Sequence, residues 1–306
     1  MNKMKKGLLV GLTVFIIGAV MFTAGMSVLD WDFYKLDTVK YTERTFLASE
    51  SGSETEITRA EISVSSFGLE IARGDEIKLD YYEASDSVVS VGVENGVFKL
   101  NERHKSGCFV YGMFKLGRLK YKYKLTLPDG VELSINSANG DLSLYGVNAA
   151  NLKITSANCD LSLSDCGVGS LFVDATNADI NVTNSACGRT EINSTNLDVF
   201  VKNSSFESFT VSGTNLDVEM YGATAADASF AATNADLRLE NLKAERVNVD
   251  GTNLDAYILI DGAKSEYTVD AHGWGDLPAN QSGTDAGKKI TLRGTNIDAD
   301  LRFTVS

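Results

Sequence analysis

Ser194-Thr195-Asn196-Leu197-Asp198-Val199-Phe200-Val201 is echoed 19 residues later by Gly213-Thr214-Asn215-Leu216-Asp217-Val218-Glu219-Met220. The phrase is one of a series. Asn139, Asn158, Asn177, Asn196, Asn215, Asn234 and Asn253 stand 19 residues apart without slippage. Each follows Ala or Thr and precedes, by two positions, an Asp: Asp141, Asp160, Asp179, Asp198, Asp217, Asp236 and Asp255. An eighth copy, Gly294-Thr295-Asn296-Ile297-Asp298, comes 43 residues after Asn253, which is two periods plus five. A fixed period of supersecondary size is the mark of a repeat architecture.

The residues between the asparagines identify the unit. Three positions after each Asn runs an apolar column, Leu142, Leu161, Ile180, Val199, Val218, Leu237 and Ala256. A second column stands two residues further on, and a third, Ile154, Val173, Ile192, Val211, Phe230 and Val249, fifteen after the Asn. Apolar residues two apart, rich in β-branched types, describe short strands with one buried face. Nothing in the unit has helical spacing. The sequence therefore predicts an all-β, single-stranded β-solenoid (a β-helix) with 19-residue coils. Its coils should stack about 4.8 Å apart, so seven of them make a rod about 30 Å long.

Two readings of the Asn-x-Asp phrase arise. Asn tolerates left-handed backbone, and its amide can bond to its own copy one coil away, giving a structural ladder through Asn139, Asn158, Asn177, Asn196, Asn215, Asn234, Asn253 and Asn296. The following Asp can accept backbone N–H groups of the turn. Alternatively the Asp column collects Ca²⁺, although the glycine-rich nonapeptide of calcium-binding β-rolls is missing. A residue repeated in every coil points to architecture, because a binding site normally breaks the repeat. We expect no bound metal and no cofactor.

The net charge of −13 over 306 residues argues against nucleic acid as partner. Lys3, Lys5 and Lys6 precede an uncharged run of 23 residues, Gly7 to Leu29, enough to span a bilayer as a helix. Residues 1–29 are thus expected to be a single transmembrane anchor in the cell membrane, with the lysines cytoplasmic and the remainder extracytoplasmic. Trp31, Phe33 and Tyr34 would lie at headgroup level; a cleaved signal peptide is the competing reading. Residues 30–56 read as a polar tether, 57–130 as a β cap over the open end of the solenoid, and 131–306 as the solenoid repeats. Within the cap, Asn95-Gly96 between two alternating runs signals a hairpin.

Lys99 to Lys124 departs from the acidic background. It carries eight basic residues against Glu102, a local charge of +7 that leaves −20 on the rest. Lys120-Tyr121-Lys122-Tyr123-Lys124 alternates strictly, placing lysines on one strand face and rings on the other. One reading is an edge strand guarded by charge. The other is a contact surface for a polyanion (anionic envelope polymer or lipid headgroups) through Arg103, Lys105, Lys115, Arg118, Lys120, Lys122 and Lys124.

Tyr123-Lys124-Leu125-Thr126-Leu127-Pro128-Asp129-Gly130, running on into Ser137-Ala138-Asn139-Gly140-Asp141-Leu142, resembles a bacterial "putative adhesin" family, a domain-of-unknown-function family. Its marks are a Leu-x-Leu-Pro-x-Gly strand end and repeated Ser-x-x-Gly-Asp coils. Ile62-Ser63-Val64-Ser65-Ser66-Phe67-Gly68-Leu69-Glu70-Ile71 is similar to that family's opening strand pair, and the resemblance runs from Ile57 to the C-terminus. It implies a β-solenoid, often behind a membrane helix and sometimes linked to envelope stress, with no catalytic residues. The chain departs from it in its regular Asn column, where relatives have Gly or Ser.

Cys108, Cys159, Cys166 and Cys187 lack metal-ligand spacing; Cys166 and Cys187 recur on neighbouring coils, as buried thiols or as a disulfide. Between Asp261 and Lys289 the repeat degenerates, with Gly273-Trp274-Gly275 in place of Asn-x-Asp and a loop from Pro278. The sequence therefore suggests a non-catalytic, adhesin-like binding or scaffold protein of the cell envelope. The alternatives are an accessory in envelope-stress signalling through a membrane partner and, last, a glycan-active enzyme.

Overall fold

The computed structural model describes residues 3–32, 39–50, 56–65, 68–104, 122–284 and 287–305. One helix, α1 (Lys3–Val28), comes first. Its segment Gly11–Val28 has a mean hydropathy of 1.9 and is long and apolar enough to cross a membrane. Among the described residues, all else of regular length is strand. The early strands are β1 (Tyr41–Leu47), β2 (Arg59–Val64), β3 (Gly68–Arg73), β4 (Lys78–Ala84), β5 (Ser87–Glu94), β6 (Val97–His104) and β7 (Lys122–Leu127). Next come the regular coils β8 (Glu132–Tyr145), β9 (Asn148–Ser164), β10 (Gly167–Thr183), β11 (Ala186–Lys202), β12 (Ser205–Tyr221) and β13 (Thr224–Ala263), the last running through two coils. β14 (Tyr267–Asp276) and β15 (Lys288–Val305) close the chain.

The coils form a β-solenoid: β8 to β13 pair parallel, each with the next, in strict 19-residue register (Asn177 opposite Asn196, Ile180 opposite Val199). Alternate side chains point inward, and the first apolar column is nowhere more than 3% exposed. Aromatic residues fill the core in mid-rod, where the ring centroids of Phe206 and Phe209 lie 4.8 Å apart and those of Phe209 and Phe230 6.0 Å apart. One corner of each coil uses a left-handed residue, at Gly146, Asp165, Asn184, Asn203, Gly222 and Asn241, with φ between 49° and 64°. Asn, Asp and Gly are the types that adopt this conformation cheaply.

At the first end the chain does not stack in sequence order. β2 and β3 lie directly on β8, and β6 and β7 form the next layer out, on β2 and β3. The hairpin at Asn95-Gly96 (φ 51° and 74°) folds β5 antiparallel to β6, while β4 and then β1 pair antiparallel outside β7. Two expectations change here. The stretch read as a tether contributes a strand, β1, because alternating Thr45 and Phe46 find partners in β4 and β6: Thr45 Oγ1 donates to Asp80 at 2.7 Å, and Phe46 packs on Phe98 with ring centroids 5.8 Å apart. And β7 is no edge strand. It lies between β3 and β4, with Tyr123 fully buried.

The far end repeats the trick. β15 inserts between β13 and β14, so Asn296 faces Asn253 and the 43-residue interval is a single step in space. β14 is left outermost. Half of its edge is covered by Gln281, which exchanges both backbone bonds with Val269 (3.0 and 3.1 Å), and by Asn280, whose Oδ1 accepts from Ala271 N at 2.6 Å. Cys159, Cys166 and Cys187 are buried free thiols, and burial pushes Cys159 and Cys187 up to about 12.

Thr190 interrupts an otherwise apolar column, Leu152, Leu171, Phe209 and Ala228. Thr190 is 1% exposed among leucines and phenylalanines, and its hydroxyl has no partner. Thr190→Val, which keeps the shape and removes the stranded hydroxyl, should raise stability by about 1–2 kcal/mol in denaturant titration. An unchanged or lower midpoint would refute this account of the core.

Candidate functional site

The Asn-x-Asp corner gives the rod a uniform polar surface. Thr and Asn point outward, the residue after Asn turns inward (Leu197, Leu216 and Leu254 are buried), and Asp points outward again. Because the register never slips, each side chain faces its own copy. The amides form a ladder: Asn158 Nδ2 donates to Asn139 Oδ1 at 2.7 Å, and the same bond recurs at 2.7–2.8 Å up to Asn253. Asn296 donates to Asn253 at a longer 3.4 Å. Every amide is oriented the same way, nitrogen toward the first end.

The aspartates form the other wall. Asp141, Asp160, Asp179, Asp198, Asp217, Asp236, Asp255 and Asp298 are in register, and Asp276 of β14 extends the column by one. Like charges one coil apart repel. Burial, then Asp179 and Asp141, pushes the Asp160 carboxyl above its ordinary range; burial, then Asp236 and Asp198, does the same to Asp217. From Asp160 to Asp298 the column makes no ion pair among the described residues, and no group of His, Cys, Asp or Glu suited to a metal ion occurs among them.

The first end of the column is neutralised. Lys122 stands two layers below Asp141, with Gly68 between them. A Cβ at Gly68 would lie 3.0 Å from Lys122 Cγ, so glycine leaves room for the lysine to cross the layer. Its Nζ reaches Asp141 at 3.3 Å and Glu70 at 3.5 Å. Partial burial alone would lower the Lys122 ammonium, but these carboxylates outweigh it and raise it. Of the basic residues singled out in the sequence, Lys122 is therefore committed to intramolecular pairs, Arg103 and Lys124 are exposed, and Lys105, Lys115, Arg118 and Lys120 lie outside the described residues. Sequence inspection missed the Lys122–Asp141 link because the partners belong to different layers, joined by the swapped chain order.

Between the two walls runs a shallow groove. One part, of about 420 Å³, extends from Asn215 to Asn296 and Asp298 over a floor of Leu216, Ala235 and Leu254. A second part, of about 280 Å³, spans Asn158 to Asp198. Beyond Asn296 the pattern ends in Gly273-Trp274-Gly275, and Trp274 is 81% exposed.

The chain belongs to the Toastrack DUF4097 family, whose model matches residues 57–227. No curated protein matches it. Among solved structures it is similar to a putative adhesin of Parabacteroides distasonis ATCC 8503, at 14% identity over 86% of this chain and 98% of that one, with a TM-score of 0.48. It is similar also to a putative adhesin of Parabacteroides merdae ATCC 43184 (13% identity, 87% and 96% covered, TM-score 0.47). A further likeness is to a putative lipid binding protein of Parabacteroides distasonis ATCC 8503 (12%, 87% and 95%, 0.34).

Two predictions follow from the columns. Asn196→Ala deletes two ladder bonds at the surface, where water takes up part of the loss, and should cost about 1–2 kcal/mol; Asn296→Ala deletes one long bond and should cost less. Equal midpoints for the two variants in urea would remove the ladder from the stability account. The acid column sets a pH dependence. A carboxyl whose folded pKa is raised favours folding below its unfolded value of 3.8, and that contribution is lost as pH rises through the folded value. Acidification from neutral toward 3.8 should therefore raise the column's contribution to stability. Asp80 and Asp227 have lowered pKa values, so they favour folding above 3.8 and lose that contribution as pH falls through their folded values. Asp217→Asn should stabilise the protein at neutral pH and shrink the gain on acidification; a steeper gain in the variant contradicts the repulsion.

Proposed function

We propose that this member of the Toastrack DUF4097 family is a membrane-anchored, non-catalytic binding or scaffold protein of the cell envelope, with an adhesin-like role. α1 serves as the anchor, its lysines on the cytoplasmic side, and the solenoid is extracytoplasmic. The observation that carries the reading is the unbroken corner: amides and carboxylates repeat coil after coil with one geometry. Catalysis by paired carboxylates needs two that differ in environment, whereas a row of equivalent groups presents a repeated surface to an extended partner. A signalling accessory, with the signal passing through a membrane partner, is the second reading. Contact with an anionic polymer or lipid headgroups would rest on Arg103, Lys105, Lys115, Arg118, Lys120 and Lys124, since Lys122 is engaged with Glu70 and Asp141.

Protease added to cells stripped of any outer barrier should remove the solenoid and leave α1 in the membrane. Complete protection until lysis would overturn the topology and the envelope role with it.

A further inference from the structure

We propose that the far end of the corner groove, from Asn253 and Asp255 to Trp274, is a binding site for a neutral glycan chain. The inference rests on the binding-protein reading above and adds to it a location and a ligand class.

Three observations meet at this end. The groove there is open, with amides along one wall, carboxylates along the other and an apolar floor. Its hydrogen-bonding capacity is unspent: Asp236, Asp255 and Asp298 have no ion pair among the described residues, and each Asn amide has an N–H beyond the one used in the ladder. The ladder also runs out here. Asn296 Oδ1 would take a donor from the next coil, but that coil holds Gly273-Trp274-Gly275, aligned on Gly294 and Ile297.

The third observation is the tryptophan. Gly273 and Gly275 have φ of +156° and +126°, and a Cβ on either would strike backbone oxygen of β15, Gly294 O or Ile297 O. Two glycines pressed against the neighbouring coil thus hold the residue between them outward. Trp274 stands where one residue replaces the Thr-Asn pair, one coil spacing beyond Asn296, with its indole exposed. A large ring in water beside a polar groove is the arrangement that grips a pyranose: the ring stacks on the sugar's C–H face while carboxylates and amides take its hydroxyls.

Charge decides among occupants. A polyanion would meet a column of unpaired carboxylates. A lipid surface calls for a cluster of basic residues and an apolar face, and this end offers one ring beside a row of acids, with only Arg293 and His272 flanking it. A second copy adding a strand to β14 is opposed by Gln281 and Asn280, which already hold Val269 and Ala271. A neutral polyhydroxylated chain faces none of these obstacles.

The test uses the full chain in detergent and affinity electrophoresis through gels containing a neutral glucan, mannan or galactan, or an N-acetylglucosamine polymer. An anionic polysaccharide, spermine and Ca²⁺ are run as separate arms. Retardation by at least one neutral polymer is expected, insensitive to salt. W274A should weaken it about tenfold, W274Y should restore most of it, and D255N should weaken it without W274A's loss of fluorescence response. W274A and D255N both change exposed groups, so a thermal melt close to wild type is expected for each. Neutral retardation that W274A leaves intact overturns the site. Binding of spermine or Ca²⁺ alone, lost in D255N, overturns the ligand class in favour of a cation. Binding of only the anionic polymer, lost in K124Q, overturns this inference yet preserves the binding-protein reading; retardation by no polymer overturns both.

Discussion

Everything in this molecule depends on the parallel stacking of coils in a register that never slips. Once residue i is hydrogen-bonded over residue i+19, each side chain has its own copy as neighbour. Whether a residue type is tolerated at a position then turns on how it interacts with itself. Leucine, isoleucine and valine pack with themselves, so the core builds by repetition. Asparagine is both donor and acceptor, so its column closes into a ladder. Aspartate is acceptor only and charged, so its column is frustrated. The same register that stabilises one wall of the groove loads the other with repulsion.

That frustration explains features that look unrelated in sequence. Lys122 crosses a glycine to reach Asp141 because the column needs a counter-charge and the layers beneath β8 are free of the repeat. In mid-rod each column carboxylate has further column carboxylates above and below it, and none from Asp160 to Asp298 has an ion pair among the described residues. Two of the carboxylates there, Asp160 and Asp217, are pushed upward by burial and by their neighbours in the column instead. The ends are where the chain escapes the rule. At both, the chain leaves the stack, lays a coil or hairpin outermost and comes back inside it, so that the open edge is met by a short or partly covered strand rather than by a full coil. Exposed strand edges invite further pairing, and the swapped order places antiparallel β1 and β4 at one end and Gln281 at the other.

The solenoid, its period and the inward columns were legible because a 19-residue repeat leaves little freedom: alternation fixes which side chains are inside, and Asn, Asp and Gly mark the corner. The hairpin at Asn95-Gly96 was legible for the same local reason. What could not be read was the order of layers. A parallel ladder pays no attention to which coil came first in sequence, so nothing local tells that β15 precedes β14 in the stack or that β7 lies inside β4. The edge-strand reading of Lys120 to Lys124 failed on that point, and so did the reading of residues 30–56 as tether, where Thr45 and Phe46 alternate too briefly to stand out. Of the candidate site, the Asn and Asp columns were visible; the role of Lys122 and the position of Trp274 beside Asn296 depended on the layer order.

The same logic locates specificity. A surface that repeats every coil can hold an extended partner at any step along it, which gives avidity but no unique register. Discrimination requires a place where the repeat stops. In this rod the groove stops twice. At one end Lys122 closes it with charge, and at the other Gly273-Trp274-Gly275 replaces the polar pair with a single ring. The two terminations differ in charge and in polarity, so a chain lying in the groove has a direction as well as a position. A uniform solenoid with a different stop at each end is thereby a ruler with marked ends, and the terminal residues, few as they are, decide what it measures.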